Sequence, residues 1–124
     1  LEAKLKSSAA LARYRPFLPD LRVWLPHQLS DDMEKLLHEK DVSGRAAWNR
    51  LFDETMATMT VPVSGEELSV SAALNKLSDP ERAVREAAAQ GVSQAFGERI
   101  RLFTLITNTL VKDKEVMDKW RHHA

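Results

Sequence analysis

Apolar positions recur along this chain mostly at steps of three and four, the period of a helix, with a single interruption where they alternate. Leu11, Tyr14, Leu18, Leu21 and Leu25 open the series. Pro16 and Pro19 fall inside it, so a helix should stop before Arg15, restart at Pro16 and run to about Trp24, with Pro26 ending it. In "LSDDMEKLLHEK", Ser30 is placed to cap, Asp31, Asp32 and Glu34 suit the positive end of the helix dipole, and Met33, Leu36 and Leu37 form the apolar side. A short helix over about Asp31 to Lys40 follows. Gly44 opens a third, with Trp48, Leu51, Phe52, Met56 and Met59 as a core stripe.

The period changes in "TMTVPVSGEELSV". β-branched residues flank Ser64-Gly65, which predicts a small hairpin near 58–70 with Pro62 on an edge strand. A lone hairpin is marginal and must lie against helices. A short helix from Ser69 or Ser71 to Leu77 comes next.

The stretch "LSDPERAVREAAAQ" then reads as a helix start, with Ser78 or Asp79 as cap, Pro80 at the first helical position and Glu81 in the first turn. Val84, Ala88, Val92, Phe96, Phe103, Ile106, Leu110, Met117 and Trp120 keep one face apolar, and no proline intervenes from there to Trp120. This predicts one rod of roughly 60 Å at about 1.5 Å per residue. Glu81/Arg85 and Glu115/Lys119 would brace it at four-residue spacing. Gly91 and Gly97 are where it would bend or meet a close neighbour, since each weakens a helix by about 1 kcal/mol relative to Ala. The expected fold is all-α, a helical bundle in a single domain over 1–124 with a long C-terminal helix and one hairpin.

Composition narrows the function classes. In 124 residues, 18 basic and 18 acidic side chains cancel, which disfavours a phosphate-backbone groove, so no nucleic-acid partner is expected. The mild basic surplus over Leu1 to Gln28 reads as a solvated helix face. With no cysteine, disulfides, thiolate catalysis and cysteine-ligated zinc are excluded, and the usage fits a cytoplasmic protein. No apolar run approaches the roughly 18 residues of a membrane span, so no membrane partner is expected. Because the chain starts at Leu1 without an initiator Met, a fragment of a longer protein is expected.

Candidate chemistry is sparse. His27, His38, His122 and His123 lack the H-E-x-x-H spacing that sets two imidazoles on one helical face. His122 and His123 would diverge by about 100° on a helix and read as solvated, and His27 reads as a capping or surface residue. Ser43-Gly44 and Ser64-Gly65 lack the strained nucleophile turn. No catalytic or metal residue is assigned, and no cofactor within this chain.

"LSDPERAVREAAAQ" also resembles the opening of a HEAT-repeat helix, where small residues allow close packing. A solenoid needs several such units, and no second Asp-Pro occurs. A free-standing, HEAT-like interaction module is therefore the alternative reading.

The order of blocks "YRPFLPDLR" at 14–22, "HQLSDDMEKLL" at 27–37, "SGRAAWNRLFDE" at 43–54, "SGEELSV", "LSDPERAVREAA" at 77–88 and "NTLVKDKEVMDKWR" at 108–121 resembles the N-terminal, non-catalytic domain of the oligoendopeptidase F family of zinc metallopeptidases. The resemblance implies a hydrolase parent whose zinc-binding catalytic domain follows in the same polypeptide, with oligopeptides as substrates. This chain would wall part of the cavity that peptides enter, and as an isolated fragment its uncovered face could pair into a homodimer. Trp48, Phe52, Phe103 and Ile106 are assigned to the chain's own core, Arg82 and Arg85 to surface salt bridges. Asn108 is either a satisfied buried amide or a cavity-facing contact, and Trp120 and Arg121 are candidates for contact with the following domain. The family ends this region Trp-Arg-Gly-aromatic, whereas Arg121 here precedes His122 and His123, so the turn at this terminus is not carried over.

Overall fold

A computed structural model describes residues 9–123. The elements in order are α1 (Ala9–Ala12), α2 (Phe17–Val23), a 3-10 turn (Leu25–His27), α3 (Asp31–Asp41), α4 (Arg45–Thr58), β1 (Thr60–Val63), β2 (Glu66–Ser69), α5 (Val70–Lys76), α6 (Arg82–Glu98) and α7 (Ile100–Trp120). The fold is all-α apart from the hairpin, with a long final helix. The helix expected before Arg15 is described only over α1, its beginning lying outside the described residues. Pro26 sits inside the 3-10 turn instead of ending a helix, which a proline tolerates in a first turn because its missing N–H is not needed there.

The chain divides into two compact units, one of residues 39–113 and one of residues 1–38 with 114–124. In the larger unit the hairpin forms as its sequence dictates. Ser64 at φ 52 and Gly65 at φ 87 supply the two left-handed positions of a tight turn. Val63 pairs with Glu66, Pro62 with Glu67 and Val61 with Leu68. The pair flanking a two-residue turn exchanges hydrogen bonds, so Pro62 falls at the next, non-bonded position, where a ladder loses nothing by its missing N–H.

Val61 and Val63 face inward and are buried with Met59, Val70, Ala73, Ala88 and Ala95. The alanine-rich run of α6 explains this packing. Ala88, Gly91 and Ala95 are its buried residues, spaced to lie on one face and too small to hold a strand away. A Cβ on Gly91 would lie 2.0 Å from the Pro62 carbonyl oxygen and 3.2 Å from Val61 Cγ1. Glycine is required there by a strand's close approach, so the small residues that resemble a repeat's packing face receive a hairpin instead.

Two sequence expectations are corrected in this region. Helix α6 begins at Arg82, with Glu81 and not Ser78 or Asp79 as its N-cap. Proline restricts the residue before it to extended backbone, and Asp79 Oδ1 instead accepts the Glu81 N–H at 3.0 Å. Arg85 turns back, donating to the carbonyls of Asp79 and Pro80 at 2.8 Å each, so it serves the loop and not the predicted pair with Glu81.

The single rod is also interrupted. Arg99, at φ −108 and ψ 8, separates α6 from α7 two residues beyond Gly97. Its N–H bonds to Phe96 O at 3.1 Å while its own carbonyl accepts from Phe103 at 3.1 Å, so the break is a single tightened turn. Phe96 and Phe103 stack across it at 5.5 Å, and Phe52 meets Phe103 edge-on at 5.8 Å. Ile106 is buried, Phe103 packs on the core, Trp48 is half-buried, and Phe52 is 40% exposed, so the predicted core residues divide. Stacked helix pairs of equal length do not occur among the described residues. None of the described helices is long and apolar enough to cross a membrane.

Candidate functional site

A cluster of polar side chains forms in the smaller unit, where the end of α7 meets the segment from Trp24 to Glu34. Glu34 lies in the first turn of α3, and its carboxylate reaches back to accept the Leu29 N–H at 3.0 Å. The backward reach is that of a capping box stretched from three residues to five, and it satisfies a donor ahead of the helix.

The same carboxylate receives Arg121 through two parallel bonds, Nη1 to Oε1 at 2.6 Å and Nη2 to Oε2 at 2.7 Å. The planar guanidinium matches the carboxylate, a geometry a lysine could not reproduce. Arg121 Nη1 also donates to the His27 carbonyl at 3.1 Å. The Arg121 hydrogen bonds first, and the Leu29 amide second, hold the Glu34 carboxyl down at about 2. Glu34 in turn raises Arg121, chiefly through the same hydrogen bonds.

Backbone turning brings the last residues onto this clamp. His123 N–H donates to Asp118 O at 2.9 Å and His122 N–H to Lys119 O at 3.4 Å, the paired bonds that close a helix through a left-handed residue. His122 is that residue, at φ 54. It fills a position where glycine is at ease, and His123 supplies a ring immediately after, so the terminus turns as a Gly-aromatic pair would. The His123 ring stacks on His27 at 4.0 Å and meets Trp24 edge-on at 5.9 Å. His27 Nδ1 lies 2.7 Å from the Arg121 carbonyl oxygen, which fixes the proton on Nδ1 as the donor.

Residues 1–60 match a family model described as Oligopeptidase F, the N-terminal family of peptidase M3. Neither a curated protein nor a solved structure matches the chain. The oligopeptidase F match takes in His27 and Glu34 and ends at the start of the hairpin, so Arg121 and His123 lie outside it.

Arg121 is engaged by Glu34, with its side chain 25% exposed. Trp120 is 56% exposed. Asn108 is exposed on α7, which corrects its reading as a satisfied buried amide. In the sequence the clamp's other members read otherwise, Glu34 as a dipole partner, His27 as a capping or surface residue and His123 as solvated, and of these the capping reading of His27 agrees with its bond to the Arg121 carbonyl. The one local signal for Glu34 was its spacing from Leu29; its pairing with a residue 87 positions away has none.

No three His, Cys, Asp or Glu side chains gather among the described residues where they could hold a metal ion. The two stacked imidazoles lie 17° from parallel, so their ring nitrogens do not converge on one point. These residues do not fit zinc.

Proposed function

We propose that this chain is the non-catalytic N-terminal domain of an oligopeptide-cleaving zinc metalloendopeptidase, where it forms part of the wall or lid of the substrate cavity and packs on the catalytic domain. The observation that carries the reading is the oligopeptidase F match over residues 1–60. The uncovered apolar side chains support it. Phe17, Leu21, Trp24 and Leu25 are each more than half exposed, as are Leu105 and Trp120. Water-facing aromatic and aliphatic groups in this number suit a surface that another domain covers. Zinc, its ligands and the scissile chemistry then belong to the catalytic domain of the same polypeptide, in a cytoplasmic enzyme. Size selection is steric, an extended oligopeptide passing the helical wall where a folded protein does not. Trp120 and Asn108 are the exposed residues offered for contact with that domain or its cavity.

The complete gene product and the isolated 124-residue chain, assayed side by side with a quenched fluorescent oligopeptide, decide the matter. The gene product should cleave the peptide, lose activity to a chelator and spare a folded protein of the same sequence content. Hydrolysis by the isolated chain, or a complete gene product without chelator-sensitive peptidase activity, overturns the reading.

A further inference from the structure

The segment from Tyr14 to Trp24 turns a helical stripe toward water. Phe17 and Leu18 N–H both donate to the Tyr14 carbonyl, at 3.0 and 3.1 Å, so the helical path of α2 reaches back to Tyr14. Trp24 closes it with helical backbone. Tyr14, Phe17, Leu21 and Trp24 are therefore spaced by three, four and three residues, which gathers them within about 80° of the helix surface. A stripe of this kind ordinarily faces a core. Here all four side chains are exposed.

Charge marks one flank of this ridge. Arg15 and Arg22 are seven residues apart and share a side, about 100–120° round the helix from Leu21. Both are exposed, and neither guanidinium has a partner among the described residues. The other flank carries Asp20 and Arg13, whose guanidinium lies over the Tyr14 ring at 4.7 Å. At the ridge's far end the His123 ring meets Trp24 edge-on at 5.9 Å.

We infer that the Tyr14–Trp24 ridge is the docking edge for the catalytic domain of the proposed enzyme, and that the surface it enters is an apolar groove lined by carboxylates on the side of Arg15 and Arg22. This docking rests on the peptidase reading and adds to it the face and the chemistry of the contact. Aromatic rings and arginine are the side chains that anchor protein contacts, and a helix ridge with a single apolar stripe suits a groove. Because Trp24 touches His123, a domain that follows this chain leaves from beside the ridge, and a short tether raises its effective concentration there. A second copy of this segment offers one carboxylate, Asp20, against three arginines, which leaves the cationic flank unanswered. A bilayer surface takes a longer helix with a broader apolar face than the seven residues of α2 provide.

Hydroxyl-radical footprinting of the complete gene product beside the isolated chain reads the ridge directly. Trp24 is 60% exposed, so its oxidation should slow about fivefold in the gene product when an interface core covers it. Arg15→Glu with Arg22→Glu should return Trp24 to within about twofold of the isolated chain's rate, while Arg15→Lys with Arg22→Lys should keep most of the protection. Sodium chloride at about 1 M should weaken the parent's protection without any substitution. Met59, buried in the larger unit, should stay unreactive throughout, which reports an intact fold. Equal Trp24 rates in the gene product and the isolated chain overturn the docking, and so does protection that survives both the charge reversal and salt. Protection that appears only as the protein is concentrated assigns the ridge to a second copy, and protection that appears only with phosphatidylglycerol vesicles assigns it to a membrane; either overturns the docking. Peptidase activity is scored separately, so an active gene product with a reactive Trp24 sinks the docking and leaves the peptidase reading standing.

Discussion

The two units of this chain are held by different physics. Among the described residues, the buried apolar side chains, Met59, Val61, Val63, Val70, Ala73, Ala88, Ala95 and Ile106, all lie within residues 39–113. The smaller unit buries no apolar side chain among its described residues and relies on a guanidinium–carboxylate clamp with two stacked rings. Burial contributes roughly 25 cal/mol per Å² of apolar surface, while an ion pair open to water contributes about 0 to 1 kcal/mol. The clamp therefore fixes which residues meet without stabilising the unit much, and the apolar face of α2 stays in water. Under the proposed function, that face is stabilised by a domain outside this chain.

The largest expected effect lies where the hairpin meets α6. Gly91→Ala would set a methyl 2.0 Å from the Pro62 carbonyl oxygen, a backbone atom that cannot swing aside. The strand must shift, so denaturant melts should register a loss of about 3 kcal/mol. An unchanged midpoint would break the picture of a hairpin seated on a small-residue face.

A paired comparison sharpens the contrast between the units. Met59 is 2% exposed and Leu21 52% exposed. Met59→Ala should cost about 2–3 kcal/mol and Leu21→Ala under about 0.5 kcal/mol in the isolated chain. Equal costs would show that the smaller unit has a core of its own.

The turn after α7 offers a smaller change of opposite sign. His122 holds φ 54, a left-handed backbone that a non-glycine residue adopts at a cost of about 1 kcal/mol. His122→Gly should raise stability by up to that amount and lengthen protection of the His123 amide. Destabilisation would mean that the His122 side chain contributes something its exposure does not suggest.

The effect of least consequence for global stability concerns Glu34. Its folded value is lowered from 4.5 to about 2, so its contribution is complete above the unfolded value and is lost as pH falls toward about 2. Exchange at the Leu29 amide should report that loss locally, and E34Q should remove the acid window. An E34Q protein with the parent's response below about pH 4.5 would assign the window to another carboxylate.

Much of the architecture was legible in local pattern. The hairpin follows from β-branched residues around Ser64-Gly65, α5 from the Ser69 cap, and α4 from Gly44 and its stripe. Errors fell where the decisive information was not local. Helix α6 starts late because Asp79 and Arg85 satisfy a loop in the way the Asp-Pro signal was expected to satisfy a helix. The rod breaks at Arg99, a position with no breaker of its own, although the weakening glycine two residues earlier was visible. Of the two readings of Asn108, the buried amide fails because its apolar neighbours in sequence point to other sides of the helix.

The sequence alone determined helical content, the hairpin and its edge proline, the small-residue face of α6 and the resemblance to oligopeptidase F. Each rests on steps of two to four residues or on ordered short blocks, where the covalent chain itself sets the geometry. Tertiary structure decided that a strand and not a helix covers Gly91, and that Glu34, His27, Arg121 and His123 share one cluster. Such contacts join residues tens of positions apart, and a carboxylate near a helix start looks the same in sequence whether it faces water or a guanidinium.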